Sequence, residues 1–197
     1  MAGGDITYGT AIPGESELRL LGDLAGRRIL ELGCPFPANP VTYAQRGAKA
    51  IVVDPSPERL AEVRAAADTA EVRIESHRAE TAELGFATSG SIDVVVSAGA
   101  LDAAEDLNRV FRQVHRVLKP SGIFVLALAH PLTRMLDGGE VVLRRPYWAA
   151  EGRTVSGLFA ALGRAGFQVE VLAEPMPTGA ASLVPPVLVL RTRKLGI

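Results

Sequence analysis

The chain of 197 residues contains one cysteine and three histidines. A single cysteine cannot form an internal disulfide, which argues against the disulfide-rich secreted domains. These four residues are scattered along the sequence without metal-ligand spacing, so we expect no bound metal. An excess of charge of one sign is also lacking, because the net charge is -1. A nucleic-acid binder normally concentrates basic residues on one face, so that class of partner is not expected.

Long apolar runs are missing as well. No stretch of about 18 apolar residues and no charged-plus-apolar leader is visible, so we expect no membrane association and a cytoplasmic location. The chain does have 48% hydrophobic residues, enough for one substantial core. We therefore expect a single domain over residues 1–197 with a small-molecule substrate.

Apolar runs alternate with segments of helical periodicity, the pattern of a parallel sheet covered by helices on both faces. Strands are predicted over residues 28–32, 50–54, 72–76, 92–97, 123–129, 167–172 and 187–193. Helices are predicted from Pro40 to Gly47 with Asn39 as N-cap, from Ser56 to about Ala67, from Leu107 to Leu118, and from about Thr154 to Gly166. A turn is predicted from Lys119 to Gly122.

Two segments lie outside this alternation. Residues 1–26 contain a short amphipathic helix and are expected to form a cap segment over the site. Residues 131–153 are expected to form an irregular flap. In that flap, Tyr147 and Trp148 either form a substrate wall or cover exposed core.

The loop after the first strand departs from the usual nucleotide-binding pattern. The strand ends in Glu31, Gly33 and Cys34, and the loop continues with Pro35 and Pro37. A Gly-rich turn would let a ligand approach bare backbone, whereas proline fills space and lacks an N–H.

The second strand ends at Asp54, followed by Pro55. Its carboxylate is expected at the carboxyl edge of the sheet, where ligands bind in open α/β folds. A carboxylate can accept both hydroxyls of a ribose. The alternative is a turn or capping acid ahead of the helix that starts at Ser56.

These motifs resemble the Rossmann-like S-adenosylmethionine-dependent methyltransferases of the small-molecule type. The first motif of that family is acid-x-Gly-x-Gly-x-Gly, of which Gly33 is the one retained glycine. The turn from Lys119 to Gly122 and the two final strands also resemble the family. The resemblance implies an α/β, three-layer Rossmann-like fold. Its sheet is mostly parallel and seven-stranded, with an antiparallel last strand.

The resemblance further implies S-adenosylmethionine as cofactor. Asp54 would take the ribose hydroxyls, and Glu31 would order the loop near the methionine end. Glu80 would accept the adenine amino group and the Thr81 N–H would meet the ring, although a surface acid in a turn explains Glu80 equally well. Ser97 would line the slot below the methyl donor, or it is a small packing residue. The implied cofactor-binding residues are Glu31, Gly33, Cys34, Asp54, Pro55, Glu80, Thr81 and Ser97.

Two further side chains have open interpretations. His130 closes the fifth strand and is the one candidate catalytic residue, as a general base or a substrate-orienting group. The alternative is a turn histidine bonded to backbone. Cys34 is interpreted as a small filler, because no partner base accompanies it.

The effect of the two prolines on cofactor binding distinguishes two functional hypotheses. Each deletes a donor, and one lost hydrogen bond removes about 0.5–1.5 kcal/mol, so Pro35 and Pro37 could weaken or abolish cofactor binding. A stiffer loop would oppose that loss. The first hypothesis is methyl transfer to a small molecule. The second is a catalytically inactive relative that serves as a ligand-binding or interaction module. A nicotinamide dehydrogenase is disfavoured, because its glycine fingerprint is missing.

Overall fold

The computed structural model describes residues 4–137, 140–143, 147, 153–178 and 184–196. Within these ranges strands and helices alternate, as the sequence predicts. The strands are β1 (Arg28–Leu32), β2 (Lys49–Val53), β3 (Ile74–His77), β4 (Ile92–Ala98), β5 (Leu118–Ala129), β6 (Leu136–Asp137), β7 (Glu140–Leu143), β8 (Phe167–Ala173) and β9 (Val187–Lys194). The helices are α1 (Glu15–Leu18), α2 (Ala38–Gln45), α3 (Pro57–Thr69), α4 (Leu107–Val117) and α5 (Val155–Arg164), with 3-10 turns at Ala100–Ala103 and Thr133–Met135.

One seven-stranded sheet organises the molecule, in the order β3-β2-β1-β4-β5-β9-β8. The neighbours from β3 to β5 are parallel, whereas β9 runs antiparallel to both β5 and β8. This confirms the expected fold class, including the antiparallel last strand. The chain moves outward from β1 to β3 and then returns to place β4 on the other side of β1. The carboxyl ends of β1 and β4 therefore form the switch point at which open α/β sheets bind ligands.

Most predicted boundaries agree closely with the structure, and the deviations are local. Strand β2 ends at Val53, so Asp54 lies just beyond it. Strand β5 begins at Leu118 rather than Ile123. The expected turn is thus absorbed into β5, where Ser121 has a φ of 59°.

The prediction that Asn39 caps helix α2 is wrong. The helix begins at Ala38, and Pro37 before it is already helical, with φ -59° and ψ -20°. The Asn39 side chain instead binds the amino-terminal backbone: its Oδ1 accepts the Thr7 N–H at 2.9 Å and its Nδ2 donates to the Thr7 carbonyl at 2.9 Å. The Asn39 side chain thus forms hydrogen bonds with the distant backbone of Thr7 instead of with the first turn of its own helix. By contrast, Ser56 caps α3 as predicted, because its Oγ accepts the Arg59 N–H at 3.2 Å.

The strands carry a core on each face of the sheet. Leu30 and Leu32 of β1 pack in one cluster with Phe111 of α4 and Leu162 of α5. Ile29 points the other way. The opposite face is covered by α2, α3 and the amino-terminal segment. This alternation within β1 gives the predicted three layers.

The amino-terminal segment belongs to the second of these cores. Its buried side chains are Ile6, Tyr8, Ile12, Leu20, Leu21 and Leu24. They pack with Ile29 and Tyr43 against the sheet face that also carries Val94 and Val125. The amphipathic helix expected in this segment is a single turn, α1. That the segment also caps a ligand site stays a prediction.

The buried side chain of Glu15 forms hydrogen bonds within the amino-terminal segment. The residue is 7% exposed. It accepts the Tyr8 O–H at 2.6 Å, the Leu20 N–H at 2.9 Å and the Leu21 N–H at 2.7 Å. One acid therefore satisfies three buried donors in an otherwise apolar layer.

The described part of residues 131–153 is more regular than expected. It contains the turn at Thr133–Met135 and the antiparallel pair β6 and β7. The Tyr147 hydroxyl accepts the Val155 N–H at 3.0 Å, while Trp148 lies outside the described residues. None of the helices in the described ranges has the length and apolar character that crossing a bilayer requires.

We expect Glu15→Ala to lower the free energy of unfolding by roughly 3 kcal/mol, because it leaves three buried donors unpaired. Urea denaturation followed by circular dichroism measures this. Glu17→Ala is the matched control, since Glu17 is an exposed acid in the same helical turn. Equal midpoints for the two variants would contradict the role given to Glu15.

Candidate functional site

Two loops meet at the carboxyl edge of the sheet, after β1 and after β2. The Gly33 N–H donates to the Val53 carbonyl at 2.7 Å. One residue later, the Cys34 N–H donates to Oδ2 of Asp54 at 2.8 Å. The structure therefore brings three predicted site residues together, namely Gly33, Cys34 and Asp54.

Asp54 is the centre of this contact. Its other carboxylate oxygen, Oδ1, accepts the Ser56 N–H at 2.8 Å. Arg59, in the first turn of α3, places Nη1 3.5 Å from Oδ2. The Asp54 side chain is 0% exposed, whereas that of Arg59 is 52% exposed. Each carboxylate oxygen accepts one backbone N–H and retains a second acceptor direction, and Arg59 lies against Oδ2.

Position 33 requires glycine for two reasons, its backbone conformation and its contact with Ala100. Its φ is +68°, a conformation that favours glycine. A Cβ placed there would lie 2.3 Å from the Cβ of Ala100. The loop after β1 is thus packed directly against the turn that follows β4.

The two prolines leave the loop with few donors. Pro35 and Pro37 have none, and the N–H groups of Gly33 and Cys34 are used within the protein. The Phe36 N–H donates to no atom in the described part of the chain. Among the described residues it is thus the loop N–H without an acceptor, and Phe36 is half-buried.

Glu31 lies on the opposite side of β1 from Leu30 and is fully buried. Asn39 donates from Nδ2 to Glu31 Oε1 at 3.3 Å. Burial raises the pKa of Glu31 to about 8, and the side chains of Asn39 and Tyr43 lower it only part of the way back. This acid is therefore largely protonated at neutral pH.

Three buried polar atoms beside these loops have no hydrogen-bond partner of normal geometry among the residues that the structure describes. They are Glu31 Oε2, Tyr43 Oη and Ser97 Oγ. Buried polar groups are nearly always paired, so three unpaired ones at the ends of β1, β4 and in α2 point to polar atoms that a ligand or water supplies.

Cys34 is 1% exposed. Burial first, and then the Asp54 carboxylate, raise the pKa of its thiol well above the usual value. Such a thiol is a poor nucleophile, which agrees with the interpretation of Cys34 as a small filler.

The loop after β3 carries the predicted adenine contacts. Glu80 is exposed and Thr81 half-buried. The Glu80 side chain makes no hydrogen bond or ion pair with the described residues. Arg78 ties this loop to the β2 loop, since its Nε donates to the carbonyl of Pro55 at 3.4 Å.

Sequence reasoning missed an aromatic stack beside this loop. The rings of His77 and Phe86 are parallel, with centroids 3.8 Å apart and planes 10° apart. His77 is the last residue of β3 and is half-buried. No sequence spacing would have indicated its pairing with Phe86.

His130 is 3% exposed and both of its ring nitrogens are engaged. The Leu132 N–H points at Nδ1 at 3.2 Å, so Nδ1 is the acceptor and Nε2 carries the proton. Nε2 then donates to Glu174 Oε1 at 2.9 Å. In this arrangement the ring has no lone pair for a substrate proton, which favours the turn-histidine interpretation.

A second missed group lies after β4. Asp102 accepts the Ala129 N–H at 2.9 Å and pairs with Arg134 at 3.3 Å. Arg153 donates to the carbonyls of Leu101 and Asp102. Burial raises the pKa of Asp102, while Ala129 and Arg134 lower it. These contacts hold the Ala100–Ala103 turn against the end of β5.

The donor and acceptor set fits S-adenosylmethionine in its chemistry. Asp54 offers acceptor oxygens for ribose hydroxyls. The unpaired oxygen of Glu31 suits an ammonium group, and the free Phe36 N–H suits a carboxylate. In the described ranges no cluster of metal-ligating side chains is present.

Comparison with known proteins agrees with this geometry. A family model described as a methyltransferase domain matches residues 30–126. A solved S-adenosylmethionine-dependent methyltransferase from Mesorhizobium loti has 30% sequence identity and a TM-score of 0.75, covering 90% of this chain and 95% of its own. A Listeria monocytogenes structure has a TM-score of 0.77 at 20% identity, covering 91% of this chain and 95% of its own.

The fold and the site define a Rossmann-like α/β transferase. The chain belongs to the S-adenosylmethionine-dependent methyltransferases, whose cofactor is S-adenosylmethionine. A ubiquinone biosynthesis O-methyltransferase from Azorhizobium caulinodans is 29% identical over 168 residues. That match covers 80% of this chain but 65% of the length of the relative.

The raised pKa of Glu31 predicts a pH-dependent stability. The folded pKa of about 8 exceeds the unfolded value of 4.5, so the folded protein holds an extra proton between these values and its stability falls as pH rises through them. Glu31→Gln mimics the neutral acid. We expect the free energy of unfolding of the wild type, relative to that of Glu31→Gln, to fall by roughly 3 to 4 kcal/mol between pH 4.5 and pH 8.

Guanidinium unfolding of both proteins across this pH range gives that difference. Taking the difference removes the other titrating groups, which the two proteins share. Parallel stability curves would contradict the assignment of a neutral Glu31.

Proposed function

We propose that the protein transfers a methyl group from S-adenosylmethionine to a small molecule. The observation that carries the proposal is the pair of buried carboxyl groups, Glu31 and Asp54, at the ends of neighbouring strands, with an unpaired oxygen on Glu31. Such a pair suits a ligand with an adenosine at one end and an amino acid at the other.

The proposed cofactor contacts run along the sheet edge. Asp54 with Pro55 holds the ribose, and Glu80 with the Thr81 N–H holds the adenine. Arg59 must turn away from Asp54 for the hydroxyls to reach it. Its exposed guanidinium pairs weakly, so that movement requires little free energy.

The methionine end lies beside the loop that follows β1 in this proposal. The small residues Gly33 and Cys34 allow its approach, and Glu31 faces its ammonium. Ser97 lies below the reacting centre at the end of β4. The bound cofactor supplies an electrophilic methyl group, and the protein contributes alignment of donor and acceptor.

His130 does not act as a proton acceptor in the arrangement described, so the acceptor atom must be nucleophilic already or lose its proton to another group. A relative named as an O-methyltransferase makes hydroxyl-bearing small molecules the first acceptors to test. We also propose a cytoplasmic location, as expected from the sequence.

An inactive relative that binds another ligand or partner is the second candidate. Two observations favour it: the Asp54 carboxylate is covered by its own chain, and Pro35 and Pro37 remove two loop donors. Binding measurements separate the two candidates directly.

We expect S-adenosylhomocysteine to bind at micromolar to submillimolar strength by titration calorimetry. Asp54→Asn should weaken binding about tenfold or more, since one acceptor oxygen becomes a donor. Asp68→Asn, an exposed position on α3, is the control and should bind normally. A folded wild type that produces no heat at high ligand concentration would support the inactive candidate.

The double variant Pro35→Gly, Pro37→Gly should bind S-adenosylhomocysteine about tenfold more tightly, because it restores two backbone donors and removes two rings. Pro120→Gly, at the opposite edge of the sheet, is the control. Unchanged or weaker binding by the double variant would show that loop stiffness outweighs the lost donors.

A further inference from the structure

Glu31 is buried among groups that are all acids. The titratable groups that interact with it are Tyr8 of the amino-terminal segment, Cys34 of the loop and Tyr43 of α2. Beyond them lie the carboxylates of Glu15 and Asp54, each near one of these groups. We call Tyr8, Glu31, Cys34 and Tyr43 the acid cluster.

No lysine, arginine or histidine acts on Glu31 in the described chain, and its interactions there are with Asn39 and Tyr43. Burial also raises the pKa of Tyr8 and Tyr43, so both phenols stay protonated at neutral pH. The acid cluster therefore offers no counter-charge to an ionised Glu31.

Asn39 supplies a single donor and cannot supply more. Its Oδ1 accepts the Thr7 N–H at 2.9 Å, which fixes the orientation of the amide. Its Nδ2 is shared between the Thr7 carbonyl at 2.9 Å and Glu31 Oε1 at 3.3 Å. Oε2 of Glu31 and the Tyr43 hydroxyl have no hydrogen-bond partner of normal geometry among the described residues. The long hydrogen bond from Asn39 and the interaction with Tyr43 do not offset full burial, so the carboxyl group is largely neutral in the free protein.

The loop after β1 joins this acid to Asp54. Cys34 connects the two, because its N–H donates to Asp54 and its residue lies three positions after Glu31. In the proposed function the amino acid end of the ligand lies beside the loop that follows β1, and its ammonium would there bring a positive charge to Glu31. A positive charge a few ångströms away lowers the pKa of a carboxyl group by about one to three units.

We propose that Glu31 gives up its proton when the ammonium-bearing end of the cofactor binds, so that cofactor binding releases one proton to the solvent. The inference rests on the proposed function, since it needs the cofactor at Asp54. In this step the Glu31 O–H bond breaks, the proton leaves to water, and the carboxylate faces a ligand that keeps its own charge.

Titration calorimetry with S-adenosylhomocysteine at pH 6.5, in buffers of different ionisation enthalpy, measures the protons released. For the wild type we expect about 0.2 proton per ligand if the pKa of Glu31 falls by one unit and about 0.9 if it falls by three units, and for Glu31→Gln we expect none. Between about pH 6 and pH 8 the wild-type affinity should rise with pH, by up to about tenfold per pH unit, and the variant should show no such rise beyond that of the ligand itself.

Two controls make the test specific. Glu62→Gln, an exposed acid on α3, should release the same proton as the wild type. 5′-Methylthioadenosine has the adenosine and thioether without the ammonium, so its binding should release no proton. Proton release by that ligand, or equal release by Glu31→Gln and wild type, overturns this inference and leaves the proposed function standing. If neither ligand binds to the folded protein, both this inference and the proposed function are overturned.

Discussion

The carboxylate of Asp54 joins three parts of the site. It accepts an N–H from the loop after β1 and an N–H from the start of α3, and it lies beside the Arg59 guanidinium. Because β1 and β2 are adjacent parallel strands, this acid fixes the distance between their loops. The positions of Cys34 and of the start of α3 follow from it. A ligand that uses Asp54 must share an acceptor that already stabilises the protein.

A contrast between the two buried acids explains much of the local chemistry. Asp54 accepts two backbone N–H groups and lies beside an arginine, whereas Glu31 interacts with the neutral side chains of Asn39 and Tyr43 and with no cation in the described chain. Both acids are fully buried, so their partners are what distinguishes them.

The strands and most helices could be predicted, because apolar periodicity and the Ser56 cap are local signals. Asn39 shows the limit of local signals. Its sequence context is that of an N-cap, but its side-chain amide forms hydrogen bonds with the N–H and the carbonyl of Thr7, which is distant in sequence. The stack of His77 on Phe86 and the ion pair of Asp102 with Arg134 were not predicted from the sequence for the same reason. Such pairs depend on tertiary approach, which spacing in one sequence does not encode.

The contact of Gly33 with Ala100 makes these two positions a single steric unit. Any side chain added at residue 33 would occupy the volume of the methyl group across from it. A larger residue at position 33 would therefore require Ala100→Gly to be made first. In homologous chains, bulk at one of these positions should be matched by its loss at the other.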